Sequence, residues 1–478
     1  MSTIQRIIDN LDLIVPQFFH DGLAPGLAVG VVYDHQMIYA KGFGVKNVQT
    51  GEAIDEHTLF HMASVSKTLV VTGIMQLVEQ GKINLDASIS TYLPYFILAD
   101  DRYQQVTVRL LLNHTSGMPD EDDFGWDRPE YDEGSLERYV RSMHDHKLLK
   151  DPEESFYYSN IGFEILGDVI AKVSGISFEQ YMKERILIPT SMLDSSFLIQ
   201  EIPYNELATP HILGIKDGLG PEISEIFPYH RAHGPSSTLY TNVVELCTYA
   251  LTHLNRGETS GGARILGNDS YDEMWTQNAP TYWEGWSEFV GLGWFLGQYK
   301  GCNVRSHSGM DTGFRSNLLL LPENGVAIAI MTNADFVGNK VLCEAILDIV
   351  LGEEVPYVKR SLASHLVKIT ITSDVEAAIS EYAQIQQSSL ERYLVHEGEF
   401  NAFAYMMLES GWLQKGISIL ELSIRLFPES SNLHNSLGEM YLLSGDRSLA
   451  LQHYQKSIEL DPNHKEGILK VNELLGVI

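Results

Sequence analysis

The chain has 478 residues, 44% of them hydrophobic and only 20% charged, enough apolar material for a filled core and too much for a disordered chain. Its 33 Lys and Arg stand against 63 Asp and Glu, a formal charge of -30, which opposes phosphate backbones and anionic lipid and so excludes nucleic acid and membrane surfaces as partners. Cys247, Cys302 and Cys343 are odd in number and far apart, a pattern of reduced structural thiols and not of a disulfide framework or a zinc site.

Taken in chain order, Ile4, Ile7, Ile8, Leu11 and Ile14 recur at helical spacing. Asp9 and Asp12, and the lack of a basic stretch leading into an apolar run, do not read as a signal peptide. No run reaches the roughly 18 uncharged apolar residues of a membrane span, so a cytoplasmic protein is expected. Apolar runs at 26–33 and 36–43, joined by Asp34 and His35, predict a hairpin. The spacing of Val65, Leu69, Val70, Ile74, Leu77 and Val78 predicts a helix over 63–80 that stops at Gly81. Further helices are expected at 106–113, 162–173 and 178–186, strands at 304–306, 317–321 and 326–332, and a helix at 340–351. Strands early and late with helices between predict one sheet assembled from both ends of a domain, an α/β (α+β) architecture with an all-helical insertion.

Pro356 and weak periodicity place a linker at 356–373, after a first domain at 1–355 and before a helical module at 374–478. In that module a 34-residue period pairs Phe403 and Ala404 with Leu437 and Gly438, Gly411 with Gly445, Leu420 with Tyr454, Ile424 with Ile458, and Pro428 with Pro462. This resembles tetratricopeptide repeats at about 397–430 and 431–464 with a capping helix at 465–478. Two such repeats are below the usual minimum of three, so the helical stretches 375–393 and 465–475 are expected to complete the stack. Such a tail serves either as a structural or self-associating appendage, the reading favoured here, or as a groove for a protein or peptide partner.

The chemistry centres on Ser64-Val65-Ser66-Lys67. A lone Ser-x-x-Lys arises by chance about once or twice in a chain this long, but here Ser64 opens a helix and Lys67 lies one turn along on the same face. A helix N-terminus and a neighbouring amine or ammonium are what a serine nucleophile needs. Tyr158-Ser159-Asn160 and His307-Ser308-Gly309 follow at workable intervals.

Together these boxes resemble the serine β-lactamase and penicillin-binding-protein superfamily, in the branch of class C β-lactamases, family VIII esterases, D-aminopeptidases and D-alanyl-D-alanine carboxypeptidases. The stretch PEESFYYSNIGFEILG is similar to that branch's PGxxFxYSNxxxxxLG, with Glu153 where Gly is usual, and TVRLLLNHTSGMP to its LLxHTSG stretch, read here as a structural loop. The resemblance implies an antiparallel sheet flanked by helices. It also implies catalysis by Ser64, Lys67 and Tyr158, with the Tyr158 pKa lowered by the Lys67 cation. Asn160 would orient Lys67 and the substrate, the main-chain N–H groups of Ser64 and Met310 would form an oxyanion hole, and His307, Ser308, Gly309 and Met310 would line the substrate. His307 would relay a proton to Tyr158 or meet a substrate carboxylate. It stands where Lys-Thr-Gly is usual, which argues against a typical lactamase. No metal or other cofactor is implied.

Each residue has a plainer reading: Tyr158 a half-buried tyrosine, Asn160 a helix N-cap, His307 a satisfied strand histidine. Their joint order after Ser64 favours the catalytic one. His57 and His61, and His144 and His146, lack an acidic or thiol partner set and are expected to be surface or structural. The run Asp120-Glu121-Asp122-Asp123 is expected to be a solvated loop at the site's mouth. Trp283, Trp286 and Phe289 wall an acyl pocket or pack the core. The expected function is hydrolysis of a small ester, amide or D-amino-acid peptide through a Ser64 acyl-enzyme. A β-lactamase, and an inactive module that binds a ligand in the old cleft, are the alternatives.

Overall fold

Val326–Thr332 is buried at every residue, a pattern that only a strand covered on both faces can carry. In the computed structural model, which describes residues 2–21, 23–121, 123–215 and 219–476, it lies inside an eight-stranded sheet. The strands are β1 (Gly26–Tyr33), β2 (Gln36–Gly44), β3 (Ala279–Pro280), β4 (Phe289–Val290), β5 (Phe295–Tyr299), β6 (Cys302–Asp311), β7 (Phe314–Leu321) and β8 (Val326–Thr332). Their order is β2-β1-β8-β7-β6-β5-β4-β3, and every neighbouring pair is antiparallel. The expected hairpin is β1–β2: Asp34 and His35 hold φ of 51° and 56°, the double left-handed turn that fits strand twist.

Helix α1 (Thr3–Asp21) packs on β1 and β2, and the buried run of α2 (Ser66–Glu79) packs on α3 (Asn160–Ser174). Helix α4 (Val243–Leu254) lies on β1 and β8, and α5 (Lys340–Val350) on β8 and α1. Gly30 is what lets α4 in: a Cβ there would sit 2.4 Å from Cys247 Sγ. All three cysteines are free, with Cys247 and Cys343 buried. Among the described residues no helix is long and apolar enough to cross a membrane.

The chain divides into two compact units, residues 1–212 with 221–355, and 213–220 with 356–478. The strands His211–Gly214 and Gly220–Ile223 pair with each other and not with the large sheet. One correction concerns the linker. Residues 356–373 contain helix α6 (Leu362–Thr372), N-capped by the Ser361 hydroxyl on Ser364 N at 2.9 Å. Its β-branched residues weaken the helical signal, but Leu362, Leu366, Val367, Thr370 and Ile371 are buried, and packing decides. Helices α7 (Val375–Ser388), α8 (Glu397–Glu409), α9 (Leu413–Leu426), α10 (Ser431–Leu443), α11 (Arg447–Leu460) and α12 (Lys465–Leu475) follow, successive ones from α8 onward packing together. Positions 477–478 of the expected capping helix lie outside the described residues.

Amide hydrogen exchange distinguishes helix from linker at this point. Amides 366–371 are expected to be protected like those of α9, whereas exchange at the rate of free peptide would contradict the packing described.

Candidate active site

Strand β6 and the start of α2 are brought together by the absence of a side chain. A Cβ at Gly309 would lie 2.4 Å from Met62 O and 2.9 Å from Ala63 Cβ, so only glycine lets the strand run against this turn. Ser316 on β7 clasps the same carbonyl with its hydroxyl at 2.5 Å. The turn Ala63–Val65 is a 3-10 turn leading into α2, and Ala63 holds φ of 47°, a left-handed conformation costly for alanine. Ser64 is thus held on the first turn before α2, partly accessible.

Lys67 is fully buried. Its Nζ lies 2.8 Å from Ser64 Oγ, 2.6 Å from Asn160 Oδ1 and 2.9 Å from the main-chain oxygen of Ser236. Burial lowers its pKa to about 8, against the opposing pull of Glu164, Asp311 and Asp120. Asn160 opens α3, but the cap is Ser159, whose hydroxyl accepts from Gly162 N at 3.2 Å. Asn160 is instead gripped by Asp120, whose Oδ1 accepts from its main-chain N at 2.7 Å and from Nδ2 at 3.0 Å. With both donors turned to Asp120, Oδ1 of Asn160 faces Lys67.

Tyr158 is fixed by its rings. His114 stacks on it with centroids 4.4 Å apart, and Lys67 Nζ sits 5.1 Å over its face. The sequence-based expectation that the Lys67 cation lowers the Tyr158 pKa is corrected: burial pushes the phenol well above its ordinary value, with a hydrogen bond to Ser64 opposing and Asp120, Asp311 and Glu164 adding. Tyr158 is a neutral phenol at rest. His114, taken as part of a structural loop, accepts the Ser159 N–H on Nδ1 at 3.1 Å. Burial holds it well below the ordinary imidazole range, so it is neutral with its proton on Nε2. Glu153, where glycine is usual, keeps the left-handed turn at φ of 71°.

His307, Ser308, Gly309 and Met310 all lie on β6. A carbonyl can only accept, so His307 Nδ1 donates to Ser308 O at 2.8 Å. Burial, with Lys67 nearby, lowers its pKa to about 3. Nε2 therefore presents a lone pair, buried and without a protein partner. Ser308 and Met310 are exposed. Strand β5 pairs with β6 only as far as Ser306, so from His307 onward β7 is the one strand paired with β6 among the described residues.

The aromatic wall divides. Trp283 is 45% exposed, and its ring lies 4.8 Å from Phe295 and 6.1 Å from Tyr158. Trp286 is buried against Tyr299, and Phe289 is half-buried on β4. His61 is buried and paired with Asp311 at 2.7 Å, whereas His57 and His144 are exposed. No group of three metal-ligating side chains occurs among the described residues. Of the acidic run, Asp122 lies outside the described residues. Asp120 sits in the site, not in solvent. Asp120, His114, Glu164 and Ser236 are the groups that sequence reasoning left out. For Asp120, His114 and Glu164 the one signal is position, immediately after or within the motif stretches; Ser236 lies in none of them.

Residues 11–349 match the Beta-lactamase family, and the chain belongs to it. Penicillin-binding protein 4 of Amycolatopsis lactamdurans is 29% identical over 313 residues, 65% of this chain and 81% of that protein. Of further relatives the chain spans 58 and 62% of the length. Among solved structures, the octameric penicillin-binding protein homologue from Pyrococcus abyssi matches with a TM-score of 0.64 and 26% identity, over 76% of this chain and 81% of that one. The D-amino acid amidase from Ochrobactrum anthropi SV3 shares the fold, with a TM-score of 0.61 at 22% identity over 72 and 97% of the two chains. The family is one of serine hydrolases.

Asp120→Ala releases Asn160 and lets its amide turn its N–H₂ toward Lys67. Losing charge-assisted hydrogen bonds of this kind costs about 1.5 to 3 kcal/mol, so hydrolysis of an ester substrate is expected to fall about 10- to 100-fold with the fold retained by circular dichroism. An unchanged rate would contradict the role given to this contact.

Proposed function

We propose that this protein hydrolyses an ester or amide, of the esterase or D-amino-acid amidase type, through a covalent acyl-enzyme on Ser64. The observation that carries this reading is the coordination of Lys67. Two of its three neighbours, Asn160 Oδ1 and the Ser236 carbonyl, can only accept. When Lys67 is neutral, its two N–H bonds go to these oxygens and its lone pair is left pointing at Ser64 Oγ, 2.8 Å away.

In this reading Lys67 takes the Ser64 proton as Oγ bonds to the substrate carbonyl carbon. The C–O or C–N bond to the leaving group then breaks, and the leaving group receives a proton from the Tyr158 phenol. That phenol is kept protonated by its burial and is reprotonated from the Lys67 ammonium. Water then attacks the acyl carbon, its proton follows the reverse path, and the acid departs with Ser64 restored. The main-chain N–H groups of Ser64 and Met310 serve the developing oxyanion, a role supported by the close approach at Gly309. The free edge of β6 beyond Ser306 receives the substrate main chain as an added strand. His307 accepts from a substrate N–H or from Tyr158. A neutral histidine in this position, with Trp283 beside it, suits an uncharged, apolar acyl group better than a carboxylate. The penicillin-binding relative and the D-amino acid amidase fold support the amide side of this range.

The helices from α8 to α12 are read as two tetratricopeptide-like repeats and a cap, with the 34-residue spacing as support. They serve self-association or a peptide partner.

Two outcomes are expected from a panel of p-nitrophenyl esters, D-amino-acid amides and a chromogenic cephalosporin. Ser64→Ala abolishes both turnover and the acyl adduct seen by intact mass, and absence of any adduct in the wild type would sink the proposal. Lys67 must be neutral to act, and its pKa is about 8, so kcat/KM rises with pH and levels off above about 8. At pH 7 roughly a tenth of the enzyme is in the active protonation state.

A further inference from the structure

The third acceptor of Lys67 leads into a buried polar chain that the reaction as written leaves idle. Ser236 lies in the short helix Gly234–Ser237. Its carbonyl accepts a hydrogen bond from Lys67 Nζ at 2.9 Å, while its hydroxyl donates to Glu164 Oε1 at 2.5 Å. His233 Nδ1 lies 3.1 Å from the same oxygen. Glu164 is 0% exposed, and it stands on α3 four residues after Asn160, hence on the same face one turn along. Its second oxygen, Oε2, is buried and meets no hydrogen-bond donor.

Burial pushes the Glu164 carboxyl above its ordinary range, and His233, the Ser236 hydroxyl and Lys67 oppose it, so the charge is kept there by the donors and the cation that answer it. The other two carboxylates that act on Lys67 are engaged elsewhere, Asp120 by Asn160 and Asp311 by His61. Asp120 also reaches Lys67 through Asn160, but both of its oxygens are engaged there, whereas Glu164 keeps one oxygen unengaged. In surroundings this dry the attraction between Glu164 and Lys67 is weakly screened.

We propose that Glu164 is a positioning residue for Lys67. Its carboxylate, acting across Ser236, holds the Lys67 amine in place and strengthens its grip on a proton, so that Lys67 is a strong enough base to take the proton of Ser64. The inference rests on Lys67 being that base.

The test is the pH profile of Ser64 acylation, followed as the p-nitrophenol burst from a p-nitrophenyl ester, in wild type, Glu164→Gln, Glu164→Asp and Ser236→Ala. Removing the negative charge destabilises the ammonium, so in Glu164→Gln the acid limb is expected to move down by about one pH unit or more. The plateau falls as well, because the base is weaker. Glu164→Asp restores the limb toward the wild-type position. Ser236→Ala keeps the carbonyl on Lys67, loses the bond to Glu164 and shifts the limb the same way by less. The other titratable groups facing the pair are Asp120, Asp311, His307, His114 and Tyr158 around Lys67, and His233 and Tyr139 around Glu164. They are common to all four proteins. A plateau that drops in Glu164→Gln and Ser236→Ala with the limb unmoved would assign Glu164 to packing alone and overturn the proposal. If Glu164→Gln does not fold, an unmoved limb in Ser236→Ala overturns it by itself. Failure of the wild type to form an adduct at Ser64 is a separate result, and it removes the underlying reading instead.

Discussion

A fully buried lysine held by three oxygens is the constraint around which the first unit is arranged. An amine taken out of water loses its preference for the charged state, and Lys67 keeps enough of it only because three carboxyl groups, Glu164, Asp311 and Asp120, are brought near it from three parts of the chain. The same low dielectric acts in the opposite sense on its neighbours. It raises the Tyr158 phenol and lowers His114 and His307, so that one amine titrates near neutrality while the groups around it stay neutral.

The rest of the unit supplies the dryness and the fixed geometry. Strand β6 seals one side because Gly309 has no Cβ to hold it off the turn carrying Ser64, and His114, Tyr158 and Phe163 close another with stacked or tilted rings. Helix α3 delivers Asn160 and, one turn on, Glu164. Its cap is made by Ser159, which leaves the Asn160 side chain free to face Lys67. Each of these contacts is modest, yet a shift in any one moves the lysine.

Much of this was legible in the chain. The apolar periods gave the hairpin β1–β2, the helices around α2 and α3, and the strands β7 and β8 close to their observed ends, because a sheet or helix buried on one or both faces writes its period into the residues; of β6 (Cys302–Asp311) they gave only 304–306. Ser64, Lys67, Tyr158, Asn160 and His307 were visible as spaced motifs and do come together. Helix α6 was missed because Ile369, Thr370, Ile371 and Thr372 read as poor helix formers, and its stability lies in what it packs on. Asp120 was read as solvated loop because an acidic run looks alike whether or not one member turns inward.

The sequence by itself determined the class of chemistry, a serine with a lysine one turn away, and the order in which partner boxes follow, since these are properties of local spacing. Only the tertiary structure decided the surroundings that set the protonation states. Whether Tyr158 is acidic or held neutral, whether His307 gives or accepts a proton, and which carboxylates answer Lys67 depend on burial and on contacts between residues as far apart as Lys67 and Ser236. A pKa is set by what surrounds a group in space, and no linear pattern records that.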